Sequence, residues 1–427
     1  MRVLVLGSGV SGIAAARLAV ARGDEVLLYD DRVDAEVPED LAISSQFGSW
    51  SGRLLDDVGL VVTSPGFSPL SPPLLGAEDR GIPIKTEVGF ALEGETTPYI
   101  AVTGTNGKST VTEVTTSMLV HSGVDAVAAG NIGTPVAGIV PIRHEMAVLE
   151  LSSFQLHYLI PRPQAATIIN IAPDHLDWHG SFDAYVAAKA HVVADMDPSG
   201  TVAFNADDAV VTSLMAEVEA LIVPCSGDRV PRDGNGVDGA ELVIDDRRFS
   251  SPITDPSYRL DLVVAGTLAL ACGAVPDGVQ AAIDAFEPGA HRRRVVATIN
   301  GVVWVDDSKA TNPHATVAAA SAFSSVRLLA GGRNKDLDLS PIGRIDTVRA
   351  LYAFGESGPD LAKHARVPTT IHATMRDAID AAAADAEPDD VVLLSPGCTS
   401  FDEFSSYAER GRVFSEVVVA MNGTAET

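Results

Sequence analysis

Seven residues, Thr103-Gly104-Thr105-Asn106-Gly107-Lys108-Ser109, constrain this chain more than any others. They follow an apolar stretch, Tyr99-Ile100-Ala101-Val102, that predicts a buried strand. They precede Thr110 to Val120, which predicts a helix. A glycine-rich turn between a strand and a helix points backbone N–H groups inward, and the helix start adds the positive end of its dipole, so the turn suits a phosphate. Lys108 supplies a mobile cation for terminal phosphates, and Ser109 a hydroxyl where magnesium would sit. The usual P-loop has about four residues between its first glycine and Gly-Lys, whereas Gly104 is followed here by Thr105 and Asn106 alone. A tight turn with an incidental lysine is the alternative; nucleoside triphosphate binding is the favoured reading.

With 427 residues, 46% of them hydrophobic, the chain is long enough for two or three domains with large cores. No apolar run reaches transmembrane length, and the N-terminus runs straight into Val3-Leu4-Val5-Leu6, which reads as a mature strand without a leader. Cys225, Cys272 and Cys398 are too far apart for a disulfide framework or a zinc site, which suggests a reducing cytoplasm. A formal net charge of -27 argues against general binding to nucleic acid or an anionic membrane. It leaves room for phosphorylated small molecules in local basic pockets.

Three α/β blocks follow one another, expected over residues 1–93, 94–288 and 289–427. In the first, Gly7-Ser8-Gly9-Val10-Ser11-Gly12 joins a strand to a helix, and the next strand, Val26 to Tyr29, ends at Asp30-Asp31. This Gly-x-Gly-x-x-Gly unit suits NAD, with Asp30 on a ribose, or equally any diphosphate such as a nucleotide sugar. In the second block, strands over Met146–Leu149 and Ala165–Ile169 and a helix over 183–195 predict a mostly parallel sheet covered on both sides. Asp228 to Gly239 reads as a loop. The third block, with strands at Val302–Val305, Val326–Leu329, Val348–Phe354 and Val391–Leu394, reads as another small parallel unit. A last helix and strand end near Val419, with Asn422 to Thr427 as a frayed tail.

Polar groups fall repeatedly at the carboxyl ends of the predicted strands, where open parallel sheets carry their sites. Glu150 ends one strand, and Asp174-His175-Leu176-Asp177 follows another. With Ser109 they suggest a magnesium site. In the third block, Asp306-Asp307-Ser308-Lys309-Ala310-Thr311-Asn312, Gly331-Gly332-Arg333-Asn334-Lys335 and Ser395-Pro396-Gly397-Cys398-Thr399-Ser400-Phe401 would line one crevice. His291-Arg292-Arg293-Arg294 is either a solvated charge run or a source of an arginine for phosphate. Lys189, on a helix among small neighbours, reads from spacing alone as a surface lysine.

Taken together, Gly104–Thr110, Gly130-Asn131-Ile132-Gly133, Glu150-Leu151-Ser152-Ser153-Phe154-Gln155-Leu156, Asp174–Asp177, Asp307–Asn312 and Leu394–Phe401 resemble the Mur ligase family over essentially the whole chain. The resemblance implies a Rossmann-like N-terminal domain, a P-loop-type central ATPase domain with a mostly parallel sheet, and a Rossmann-like C-terminal domain. It implies a monomeric cytoplasmic enzyme of peptidoglycan precursor biosynthesis, working on neither nucleic acid nor membrane. The implied reaction is ATP-dependent addition of D-glutamate to UDP-N-acetylmuramoyl-L-alanine through an acyl phosphate. Carried over residue by residue, Gly104, Thr105, Asn106, Gly107, Lys108, Ser109 and Thr110 would hold ATP, together with Arg292, Asp307 and Lys309. Ser109, Glu150, His175 and Lys189 would serve magnesium, two ions in all, with Lys189 carrying a CO2-derived carbamate. Lys108, Glu150, His175 and Lys189 are thus the implied catalytic set. Ser11, Gly12, Asp30, Asp31 and Asn131 match positions around the UDP-sugar, and Thr311, Lys335, Ser400, Phe401 and Tyr407 positions around D-glutamate. The asparagine pattern that touches adenine in the family is replaced here by Tyr258-Arg259-Leu260-Asp261-Leu262-Val263, so that contact is not carried over.

Overall fold

The computed structural model describes residues 1–425. It contains two compact units, one formed by Met1–Ile171 with Trp178–Phe286, the other by Ala172–Asp177 with the chain from Glu287 onward. Among the described residues no helix is long and apolar enough to cross a membrane.

The first unit holds two parallel sheets. One has strands β1 (Arg2–Leu6), β2 (Glu25–Asp30), β3 (Ser44–Phe47), β4 (Leu60–Thr63) and β5 (Ile84–Thr86), in the order β3-β2-β1-β4-β5. β1 is apolar without alternation because both its faces are covered. Val3 and Val5 enter one core while Leu4 and Leu6 enter another. The glycine-rich turn after it is dictated by packing at both ends. A Cβ on Gly7 (φ +98°) would lie 2.2 Å from Ser64 Oγ, and one on Gly12 only 1.8 Å from the Gly7 carbonyl. Gly9 meets nothing within 4 Å, so the middle of the turn stays open to a ligand.

The second sheet has strands β6 (Tyr99–Thr103), β7 (Ala126–Gly130), β8 (Met146–Glu150), β9 (Ala165–Ile168), β10 (Thr201–Asn205) and β11 (Leu221–Cys225), in the order β11-β10-β9-β6-β8-β7. β6 therefore lies between β8 and β9, the switch point where open α/β sheets bind ligands. The helix Lys108–His121 buries Val111, Val114, Met118 and Leu119, roughly 1.5–3 kcal/mol for each such side chain. It ends where Gly123 takes a left-handed conformation, φ +85°.

The segment read as a loop ends in a strand. β12 (Gly236–Asp238), β13 (Glu241–Ile244) and β14 (Arg247–Ser250) form an antiparallel sheet whose Leu242, Ile244 and Phe249 are buried. Its tight turn uses Asp245 and Asp246, both at positive φ, where a glycine would have been the recognisable signal.

The second unit has strands β15 (Arg294–Ile299), β16 (Val302–Asp306), β17 (Val326–Gly331), β18 (Val348–Phe354), β19 (Thr369–His372) and β20 (Val391–Gly397), in the order β15-β16-β20-β17-β18-β19. The expected purely parallel sheet is corrected here. β15 pairs antiparallel with β16 through Asn300-Gly301, both at positive φ. The chain finishes in one helix, Tyr407–Ala425, rather than a helix and a strand, because Phe414, Val417 and Val418 recur at helical spacing in the core. The frayed tail expected from Asn422 is helical as far as Ala425, and residues 426 and 427 lie outside the described residues.

Candidate active site

The adjacent carboxyl ends of β8, β6 and β9 carry Glu150, the Gly104–Ser109 turn and Asn170. The turn is pinned by Asn170, just past the strand expected over Ala165–Ile169. Thr105 N–H donates to the Asn170 carbonyl at 2.9 Å, Asn106 N–H to Asn170 Oδ1 at 2.8 Å, and Asn170 Nδ2 back to the Asn106 carbonyl at 3.1 Å. Gly107 is left-handed at φ +85°, and a Cβ there would fall 2.7 Å from Asp261 Oδ1. A side chain at 107 would therefore displace both the turn and the buried Asp261.

Two ammonium groups converge on this turn. Lys108 Nζ donates to the carbonyls of Gly104 and Thr105, each at 2.9 Å. Lys189 Nζ donates to the same Gly104 carbonyl at 2.7 Å and lies 4.8 Å from the centre of the Tyr185 ring. Lys189 is 1% exposed, which overturns the surface reading that its spacing suggested. Burying a lysine beside another cation is unfavourable unless an anion joins them.

Glu150 is buried at the end of β8. Its Oε1 accepts from Asn131 Nδ2 at 3.0 Å, and its Oε2 has no hydrogen-bond partner among the described residues. A buried carboxylate oxygen in that state beside a phosphate turn suits a hard divalent cation. Among the described residues no three His, Cys, Asp or Glu side chains form a ready-made cage.

At the first sheet, Asp30 is saturated. Ser8 N–H and Oγ, each at 2.7 Å, and the backbone and guanidinium N–H groups of Arg32 all donate to its carboxylate. Burial works against its charge, but the Arg32 and Ser8 hydrogen bonds outweigh burial and hold it well below the usual carboxylate range. The ribose contact required by the NAD reading finds both oxygens occupied. Asp31 is exposed, and Ser11 lines a recess with Ser64, Glu87, Phe154, Tyr158 and Trp178.

In the second unit β20 lies between β16 and β17, so the three polar loops after these strands are neighbours, as their positions in the sequence suggested. Asp307 accepts from Ser395 Oγ at 2.7 Å and Arg293 N–H at 3.1 Å, and burial pushes it up to about 7. Lys309 Nζ lies 5.2 Å from the centre of the Tyr407 ring, and Arg292 N–H donates to the Gly289 carbonyl. Lys335 Nζ donates to Asp174 Oδ1, while Asn312 Nδ2 donates to Asp174 Oδ2 at 3.1 Å. Burial raises Asp174, but the charge of Lys335, that of His175 and the hydrogen bonds from Lys335 and Asn312 together outweigh it and leave a carboxylate below its ordinary range. His175, next to it, has φ +53°, in the left-handed region that histidine enters more often than most residues other than glycine. Ser400 is buried, Thr311 half-buried, and Phe401 and Tyr407 exposed.

Arg410 was missed. It is wholly buried, and burial lowers it to about 10. Its guanidinium donates to Ser308 Oγ and to the carbonyls of Ser308, Cys398 and Thr399, tying the loops after β16 and β20 together. The available signal was its place four residues before Phe414, on the buried stripe of the last helix.

Three family descriptions match the chain in succession: Mur ligase MurD-like, N-terminal domain, over residues 1–86; Mur ligase middle domain over 102–225; and Mur ligase, glutamate ligase domain, over 291–398. The chain is 40% identical to the UDP-N-acetylmuramoylalanine--D-glutamate ligase of Frankia casuarinae, over 99% of this chain and 94% of that one. It is 33% identical to the enzyme of the same name from Koribacter versatilis, over 98% and 97%. Among solved structures, a pseudomurein peptide ligase type C from Methanothermus fervidus is similar at TM-score 0.63 and 16% identity, covering 98% of this chain and 99% of that one. UDP-N-acetylmuramate-alanine ligase MurC from Thermotoga maritima is similar at TM-score 0.61 and 16% identity, covering 99% and 100%. At such identities these two structures bear on the fold alone.

Proposed function

This chain belongs to the Mur ligase family, and from that premise we infer that it is the ligase that adds D-glutamate to UDP-N-acetylmuramoyl-L-alanine, with ATP cleaved to ADP and phosphate. The observation that carries the chemistry is the pairing of the Lys108 turn with the buried, half-satisfied Glu150 on one sheet edge. The product is an intermediate of peptidoglycan synthesis. We place the reaction in the cytoplasm, where ATP is supplied, and propose that the enzyme works as a monomer.

The muramoyl-alanine carboxylate is a poor electrophile, since its charge repels an attacking amine. Transfer of the γ-phosphoryl group to it forms an acyl phosphate with a good leaving group. The D-glutamate amine then attacks, and the tetrahedral intermediate collapses to an amide and phosphate. The protein's part is positioning and charge neutralisation. Turn amides and Lys108 would cradle the ATP phosphates, and Thr110 would close the turn. Ser109, Glu150 and His175 would hold magnesium, which supplies charge neutralisation at the phosphate oxygens when bound. A carbamate on the buried Lys189 would turn its cation into an oxygen ligand. Ser11, Gly12 and Asn131 would face the UDP-sugar, with Asp30 ordering Ser8 and Arg32 beside it and Asp31 at the rim. Arg292, Asp307 and Lys309 would serve the nucleotide. Thr311, Lys335, Ser400, Phe401 and Tyr407 would receive D-glutamate, whose carboxylate would compete with Asp174 for Lys335.

The test is phosphate release with ATP, magnesium, UDP-N-acetylmuramoyl-L-alanine and each of D-glutamate, L-glutamate, D-aspartate and D-alanine. Turnover that needs the UDP-sugar and strongly prefers D-glutamate is expected. ATP cleavage at the same rate without the UDP-sugar would refute the ligase reading, and equal use of L- and D-glutamate would refute the acceptor.

A further inference from the structure

Glu87 is a buried acid that lines the recess beside Ser11 without belonging to the catalytic or ligand-binding sets named above. It is the first residue of the helix Glu87–Ala91, is 3% exposed, and enters none of the motifs singled out in the sequence. Its Oε1 accepts from the Ala137 N–H at 2.5 Å. Ala137 lies in the short 3-10 turn Val136–Gly138, which packs through Val136 and Ala137 into the core shared with Val88, Phe90 and Ala91. The first N–H groups of any helical turn need an outside acceptor. The residue before this turn is Pro135, which offers no capping side chain, so the acceptor comes from fifty residues upstream.

The loop that this turn terminates carries Asn131. Gly130 N–H donates to the Thr134 carbonyl at 2.8 Å, and Asn131 N–H to the Glu150 carbonyl at 2.9 Å. Asn131 Nδ2 reaches Glu150 Oε1 at 3.0 Å. Gly130, at φ +103°, admits no Cβ, since one would fall 2.3 Å from the Glu150 carbonyl. One end of the loop is thus locked to Glu150 and the other to Glu87. We propose that Glu87 is a positioning residue: it caps the Val136–Gly138 turn from a distant segment and so holds the Asn131 loop in register with Glu150 for the UDP-sugar.

The kinetic arm of the test rests on the ligase reading; the exchange arm does not. Hydrogen exchange of the 130–138 segment is measured in ligand-free wild type and in Glu87→Ala, Glu87→Gln and Asn131→Ala. Glu87→Ala should speed exchange at Ala137 by about tenfold or more, while Glu87→Gln, which keeps an acceptor oxygen, should stay near wild type. In turnover, Glu87→Ala should raise KM for the UDP-sugar about tenfold, with KM for ATP within about twofold, and Glu87→Gln should restore most of it. Asn131→Ala should show the same KM pattern without faster exchange at Ala137. If Glu87→Ala does not fold, Glu87→Asp, one methylene shorter, carries the same comparison. Unchanged exchange at 130–138 overturns the proposal, as does an equal rise in both KM values or a Gln variant as impaired as Ala. Absence of wild-type turnover would instead sink the ligase reading and leave the exchange result to decide the clamp.

Discussion

Replacing Glu87 by glutamine should make the protein more stable in base and leave it little changed in acid. Burial raises this carboxyl to about 7 from a reference of 4.5, against hydrogen bonds from Ala137 and Val136 that favour the charge. The folded state therefore binds more protons than the unfolded state between those values. The contribution of Glu87 to stability is fully present below about pH 4.5 and is lost as pH rises through about 7. The gap corresponds to about 3 kcal/mol at pH 8.5. Glutamine resembles the protonated acid, with an oxygen for the Ala137 N–H and no charge to bury. The difference in melting temperature between variant and wild type should therefore be small at pH 5, about a quarter of its final size, and grow to roughly 5–10 °C at pH 8.5. Scanning calorimetry of both proteins at matched ionic strength from pH 5 to 8.5 measures it, and titrations of other groups cancel in the difference. A difference that does not vary with pH would refute the assignment of a raised, buried acid.

Three further outcomes follow from the site. Lys108→Ala should lower turnover by at least about a hundredfold by removing the phosphate cation, with little change in melting temperature; near-normal activity would dismiss the turn as a phosphate cradle. Lys189→Ala should be similarly impaired and partly rescued by formate, and electron density of the substrate-bound, magnesium-bound protein should show a carboxylate on Nζ; a plain ammonium there would count against carbamylation. Lys335→Ala should raise KM for D-glutamate about tenfold or more while KM for the UDP-sugar moves less than about twofold, because a carboxylate loses its charged partner; equal changes in both would remove Lys335 from the acceptor pocket.

What the sequence made legible was whatever depends on near neighbours along the chain. A continuous apolar run such as Val3 to Leu6 announces a strand covered on both faces, and both cores are there. A glycine pattern between strand and helix announces a turn, and Gly7, Gly12 and Gly107 are each required by a contact that a Cβ would violate. The antiparallel edge at β15 was legible too, since Asn300-Gly301 is the commonest hairpin signal, but a run of parallel strands masked it. The buried ionisable side chains could not be read in this way. Lys189 lies on a helix of small residues, and its carbonyl partner on Gly104 is 85 residues away. Glu87 and Arg410 look like ordinary helix-surface charges until Ala137 and the carbonyls of Ser308 and Cys398 are known. Burying a charge is unfavourable by default, so a charged residue in sequence is rightly expected at the surface, and only a distant partner reverses that expectation. The same partners that make these residues illegible are what make them informative. An interior acid, lysine or arginine is retained only where its hydrogen bonds fix something, and here they fix the Asn131 loop, the phosphate turn and the paired loops of the second unit.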